Sequence, residues 1–194
     1  MAKPRRVSGV DPDRRLRPNA RRILAVRIDE VYQYDGAVAD PANVTELHDM
    51  RIACKRLRYL LEIFSVAFTE DLDPIIDQVK ELQDILGDIH DCDVQVPLLQ
   101  RHLAWLQERE AAGARELVGS RAAGAGEVDA EAEIARFAEA LSSSGRGDER
   151  PGVHALIARR RQERDALYAR FLDEWRRLKR ERFRARMERA LDLA

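Results

Sequence analysis

Leu47, Met50, Cys54, Leu57, Leu61, Phe64 and Phe68 recur at spacings of 3, 4, 3, 4, 3 and 4, the repeat that puts apolar side chains on one side of an α-helix. Almost opposite them runs a polar stripe, His48, Arg51, Lys55, Arg58 and Glu62, spaced 3, 4, 3 and 4, with Arg56 and Tyr59 beside it. The pattern predicts a long central helix over about 41–68, with Asn43 or Thr45 as its cap.

The rest of the chain reads the same way. Ala20, Ile23, Leu24, Arg27, Ile28, Val31 and Tyr32 predict a first amphipathic helix beginning at Pro18 and ending near Asp35-Gly36. Ile75, Val79, Leu82, Ile85 and Leu86 predict a third, stopped or bent at Gly87; if Asp93 caps the next, Val94, Leu98, Leu99, Leu103 and Leu106 carry that one to about Ala112. Glycines over 113–126 predict a flexible break, a short helix follows over about 128–141, and Ser142-Ser143-Ser144-Gly145 opens a second flexible segment over 142–150. A last helix starts at Pro151-Gly152, with Leu156, Leu167, Phe171, Leu172, Trp175 and Leu178 inside and an Arg-rich end carrying Phe183 and Met187. No β-branched run alternates with period 2, so the expected fold is all-α: an antiparallel bundle of about six helices built on a long basic central one. It would form a single domain over 18–194, after a flexible basic arm over 1–17.

Charge sharpens the picture because it is segregated. The chain sums to −1, yet 1–27 holds nine bases against two acids, 107–149 holds ten acids against five bases, and 150–194 holds fourteen bases against seven acids. A near-neutral sum is therefore compatible with a focused basic surface. The central helix is the clearest case, because no acidic residue occurs between Met50 and Leu61. Solvated helix faces usually alternate charge at i, i+4, where like charges cost a few tenths of a kcal/mol, about 0.2–0.5. An unmixed face suggests an anion. Of the two cysteines, Cys54 lies on the apolar stripe and reads as a reduced, buried small hydrophobe, and neither has metal-ligand spacing. No apolar leader or membrane-length run is visible, so the expected location is the cytoplasm.

Other chemistries are weaker. Asp88, His90 and Asp91 offer oxygen and imidazole ligands for a divalent ion, but near-alternate positions on a helix point apart. The preferred role of Asp84, Asp88 and Asp91 is to orient the basic side chains by ion pairs. His48 could contact an anion, pair with Asp49 or Glu62, or act as a phosphoacceptor; a metal there would meet repulsion from Arg and Lys. There is no nucleophile and base constellation and no glycine-rich phosphate loop, so neither an enzyme nor a cofactor is expected. Tyr59 is the only aromatic near the basic stripe, which argues against nucleic acid. The final helix echoes the central one, with His154, Arg161, Arg164 and Tyr168 at the offsets of His48, Lys55, Arg58 and Glu62 but Ile157 in the place of Arg51.

His48-x-x-Arg51-Ile52-x-x-Lys55-Arg56-Leu57-Arg58-Tyr59-x-x-Glu62-x-Phe64, followed by Leu82-Gln83-Asp84-Ile85-Leu86-Gly87-Asp88-x-x-Asp91, resembles the conserved histidine α-helical domain, CHAD. Arg164, Phe171, Trp175 and Phe183 resemble the end of that domain. The resemblance implies a helical bundle that binds inorganic polyphosphate on a cationic surface or pore, with His48, Arg51, Lys55, Arg56 and Arg58 as the anion contacts. Arg161 and Arg164 on the last helix and Arg27 on the first would add cations. Larger members carry two clear copies of the His-x-x-Arg helix; here the second, at His154, is degenerate, which implies a half-sized groove or a homodimer that completes it. Some members are joined to a triphosphate-processing domain marked by Glu-x-Glu-x-Lys, but Glu131-x-Glu133-x-Ala135 lacks the lysine. The expectation is a non-catalytic polyphosphate binder, located in the cytoplasm at polyphosphate granules, with a divalent-metal or phosphoacceptor protein as the alternative.

Overall fold

A computed structural model describes residues 3–122 and 149–193. Five α-helices make up most of them: α1 Leu16–Tyr32, α2 Val44–Phe64, α3 Asp73–Ala122, α4 Arg150–Arg180 and α5 Phe183–Ala190, with 3₁₀ turns at Ala37–Ala39 and Ser65–Ala67. No strand occurs among the described residues, and the all-α expectation holds. None of the described helices is long and apolar enough to cross a membrane. The helix expected over 128–141 lies outside the described residues, as do 123–126 and 142–148 of the expected flexible segments; the rest of the first segment, 113–122, is helical as the end of α3 instead of a break.

Several boundaries differ from the sequence reading, two of them by joining or splitting helices. The predicted third and fourth helices are one, because α3 passes through Gly87, Asp93 and Gly113. Leu82, Ile85, Leu86, Ile89 and Cys92 are all buried along it. A glycine inside a helix costs about 1 kcal/mol, less than the roughly 1.5–3 kcal/mol gained by burying one such aliphatic side chain. Asp93 is therefore mid-helix rather than a cap, and Pro97, also inside α3, removes only the N–H that would have reached the Asp93 carbonyl. Conversely, the predicted last helix breaks after Arg180. Arg182 adopts a left-handed conformation, φ 52°, and the turn it makes lets Phe183 and Met187 enter the core at 2% and 1% exposure.

The chain divides into two compact units: Met1–Asp93 with Gln162–Ala194, and Val94–Arg161. In the first, the apolar stripe of α2 (Leu47, Met50, Cys54, Leu57, Leu61) joins Leu24 and Ile28 of α1, Val79 and Leu86 of α3, Phe171 and Trp175 of α4, and the two α5 residues in one core. Burial pushes the Cys54 thiol up to about 12, so it stays protonated; Cys54 and Cys92 are both free and buried. Cross-links give the helix directions. His48 meets His90 and Arg58 meets Gln83, so α2 and α3 run antiparallel. Arg164 meets Asp93 and Arg170 meets Glu81, so α4 runs antiparallel to α3 in turn. Trp175 Nε1 and Lys179 Nζ both donate to Asp35, at 2.7 and 2.6 Å, fixing α4 to the turn after α1. In the second unit, His102 stacks on Trp105 with ring centroids 5.6 Å apart, and Arg109 lies over the same indole.

One carboxylate of the first unit is fully inside. Glu30 is 1% exposed and Arg27 8%. Glu30 accepts from the guanidinium of Arg27, from Arg56 at 3.2 Å, and from the backbone N–H of Arg5. Arg27 also donates to the Arg5 carbonyl at 3.1 Å, so the N-terminal arm lies against α1 at this point. Asp11 and Asn19 make a second tie, with bonds of 3.0 and 2.6 Å.

Removing one partner of a buried ion pair leaves the other charge uncompensated. Glu30→Ala should thus destabilise the protein by about 3–5 kcal/mol, read as a lower urea midpoint with an unchanged m-value. Gly87 gives the opposite expectation. A Cβ there would meet nothing within 4 Å, so Gly87→Ala should raise stability by about 0.5–1 kcal/mol in the same experiment.

Candidate functional site

The helix α2 presents its polar stripe along the seam with α3. Because the opposite stripe is locked into the core, the register of the polar side chains is fixed by the same 3.6-residue period that buries Met50 and Leu57. His48, Arg51, Arg56 and Arg58 are half-buried, whereas Lys55 is exposed.

These cations fall into two groups. Arg27 and Arg56 point at Glu30, and Arg164 donates to Asp93 at 2.6 Å and to the Pro41 carbonyl at 2.7 Å. Arg58 is intermediate: its Nε donates to neutral Gln83 at 3.0 Å, and Nη1 lies 3.3 Å from the exposed carboxylate of Glu62. Arg51 and Lys55 form no ion pair among the described residues. The Nε of Arg51 is buried without a hydrogen-bond partner, an unusual state for a charged donor. Lys55 Nζ and the Arg58 guanidinium lie over the exposed ring of Tyr59, 5.8 and 4.6 Å from its centroid.

At the N-terminal end of this face the Nδ1 atoms of His48 and His90 are 3.2 Å apart and the ring centroids 4.4 Å. His90 entered the sequence reading only as a metal ligand. It belongs instead to the basic seam, against His48. Gln83, at the other end, is a further contact that local patterning could not supply. Both become visible only once the antiparallel pairing of α2 and α3 is known. Glu30 did leave a trace: Arg27 interrupts the apolar stripe of α1, and a base there calls for an acid at i+3.

Asp84, Asp88 and Asp91 do not orient the bases as expected. All are exposed, and none forms an ion pair with a described residue; Asp93, one helical turn past His90, takes that role through Arg164. Nor do Asp88, His90 and Asp91 converge: no group of three or more His, Cys, Asp or Glu side chains among the described residues could hold a metal ion. The echo in α4 is not repeated in space. Ile157 and Tyr168, at the offsets of Arg51 and Glu62, are buried at 6% and 8% exposure, and the Tyr168 hydroxyl donates to the Val38 carbonyl at 3.0 Å. His154 and Arg161 are exposed residues of the second unit.

Burial first, then the neighbouring His90 and Arg51, hold the His48 imidazole below its ordinary value of 6.5, against a smaller opposing pull from Asp49. An unfolded chain therefore binds a proton at His48 before the folded one does. The sign follows: this contribution to stability is present above pH 6.5 and is lost as pH falls through the lower folded value. Thermal melts of the ligand-free protein should show a melting temperature that drops on acidification below about 6.5, and His48→Gln should flatten that segment of the curve.

A family model described as CHAD domain matches residues 2–100, a span that contains α1, α2 and the part of α3 bearing Gln83 and His90. No curated protein and no solved structure matches the chain.

Proposed function

The chain belongs to the CHAD family, and on that premise we propose that it binds inorganic polyphosphate along the basic face of α2, without turning it over. The observation that carries this reading is the state of Arg51 and Lys55. They lie on a helix face free of acids from Met50 to Leu61, no described carboxylate neutralises them, and Arg51 has a buried N–H with no acceptor. A phosphate oxygen supplies that acceptor, and charge-assisted bonds of this kind are about twice as strong as neutral ones. Linear polyphosphate repeats its charge without bases to stack or read, which suits a row of donors one helical turn apart. His48 and Arg58 extend the row at either end. Arg27, Arg56 and Arg164 support it from beneath by holding the helices in register. The same reading places the protein in the cytoplasm with polyphosphate granules, and a second copy would supply the facing wall of a groove that one chain leaves open.

The test is retention of purified protein on polyphosphate against DNA, RNA and heparin at physiological salt. Polyphosphate should be preferred, log K should fall linearly with log salt concentration as counterions are released, and chelator should have no effect. Equal retention on all four polyanions, or loss of binding in chelator, would overturn the reading. Arg51→Glu with Lys55→Glu should weaken binding about a hundredfold or more, two charge-assisted bonds being worth about 3–6 kcal/mol, while the far-UV circular dichroism is kept. Arg56→Glu should instead lower the melting temperature, because it sets a second acid against Glu30.

A further inference from the structure

We propose that His48 and His90 act as one proton-accepting subsite of this face, so that polyphosphate binding draws a proton from solvent onto the pair and tightens as pH falls. The inference rests on the polyphosphate reading above and adds His90 and a regulation to it.

Two imidazole Nδ1 atoms 3.2 Å apart can share only one hydrogen. One ring donates and the other accepts. In the neutral pair the accepting ring carries its hydrogen on Nε2, while the donating ring has a bare Nε2. Each Nε2 points away from the shared contact. A single added proton goes to the bare Nε2, so the Nδ1–H···Nδ1 bond survives and the pair gains a positive charge and a second outward N–H donor. A further proton would set N–H against N–H and part the rings, so uptake stops at one.

The surroundings decide when that proton arrives. From α2 the pair faces Arg51, which opposes a positive charge, and Asp49, which favours it. From α3 the group facing His48 is His90 itself; Asp93, further along that helix, is already held by Arg164 of α4. Without ligand, burial first, then His90 and the Arg51 charge, oppose a proton on His48. A polyanion seated on Arg51 cancels that repulsion and accepts from both Nε2–H groups. Binding and protonation are thereby linked, and each must strengthen the other.

The decisive experiment is titration calorimetry of the whole chain with long-chain polyphosphate, of which only the two ends titrate, in buffers of different ionisation enthalpy at pH 7.5. Parent protein should take up close to one proton, and its affinity should fall by up to about tenfold per pH unit between pH 6.5 and 8.5. The double variant His48→Gln/His90→Gln should bind more weakly, take up none, and lose the pH dependence. Imidazole ¹⁵N spectra of the parent provide a readout that needs no variant: on binding, both Nε2 atoms should become protonated while one Nδ1 remains bare. No binding by the parent at any pH would sink the polyphosphate reading itself. Binding without proton uptake, uptake that persists in the double variant, or uptake with the His90 nitrogens unchanged would overturn this inference alone.

Discussion

The carboxylate of Glu30 is the constraint on which the arrangement of the basic residues depends. An acid at 1% exposure is tolerable only with nearly all of its lone pairs engaged, and here two guanidiniums and a backbone amide engage them. Those three donors come from the N-terminal arm, α1 and α2, so one buried charge sets the position of three segments. It also divides the cations. Arg27 and Arg56 share the charge of Glu30 within the fold, whereas Arg51 and Lys55, on another flank of α2, have no described carboxylate partner.

The seam between α2 and α3 shows how packing completes what the helix face begins. Its two ends are closed by different chemistry: a histidine pair at one, and a guanidinium resting on a neutral amide at the other. A glutamate in the place of Gln83 would have given Arg58 a second carboxylate beside Glu62; the amide orients the side chain without adding a charge. Behind the histidines, the Asp93–Arg164 pair joins α3 to α4, and the second bond of Arg164, to Pro41, secures the chain just before α2 begins.

The parts of this structure that were legible in the sequence are those governed by local period. Both stripes of α2 could be read directly, because burial of Leu47 to Leu61 and the gathering of the bases on the opposite side are the same statement about a 3.6-residue repeat. The continuity of α3 was not legible. Gly87, the aspartates after it and Pro97 are genuine local stop signals, and they are outvoted by a core stripe that continues through Ile89 and Cys92. The same kind of override turns the predicted last helix into α4 and α5, where burial of Phe183 and Met187 outweighs a left-handed arginine. His90 and Gln83 depended on which helix lies beside which, information that no window of sequence holds. The degenerate echo at His154 could not be resolved from sequence, because matching offsets say nothing about which side of a helix faces inward.

Arg51 places function and folding in opposition. A half-buried guanidinium with an unanswered N–H makes the free fold less stable than the same backbone carrying methionine or leucine there, since an unsatisfied buried donor carries a desolvation cost of about 1–3 kcal/mol. Any selection for thermal robustness alone would discard this residue among the first. Its retention would then be a signature of ligand, and a sequence library sorted once for heat resistance and once for anion capture would separate most sharply at this position.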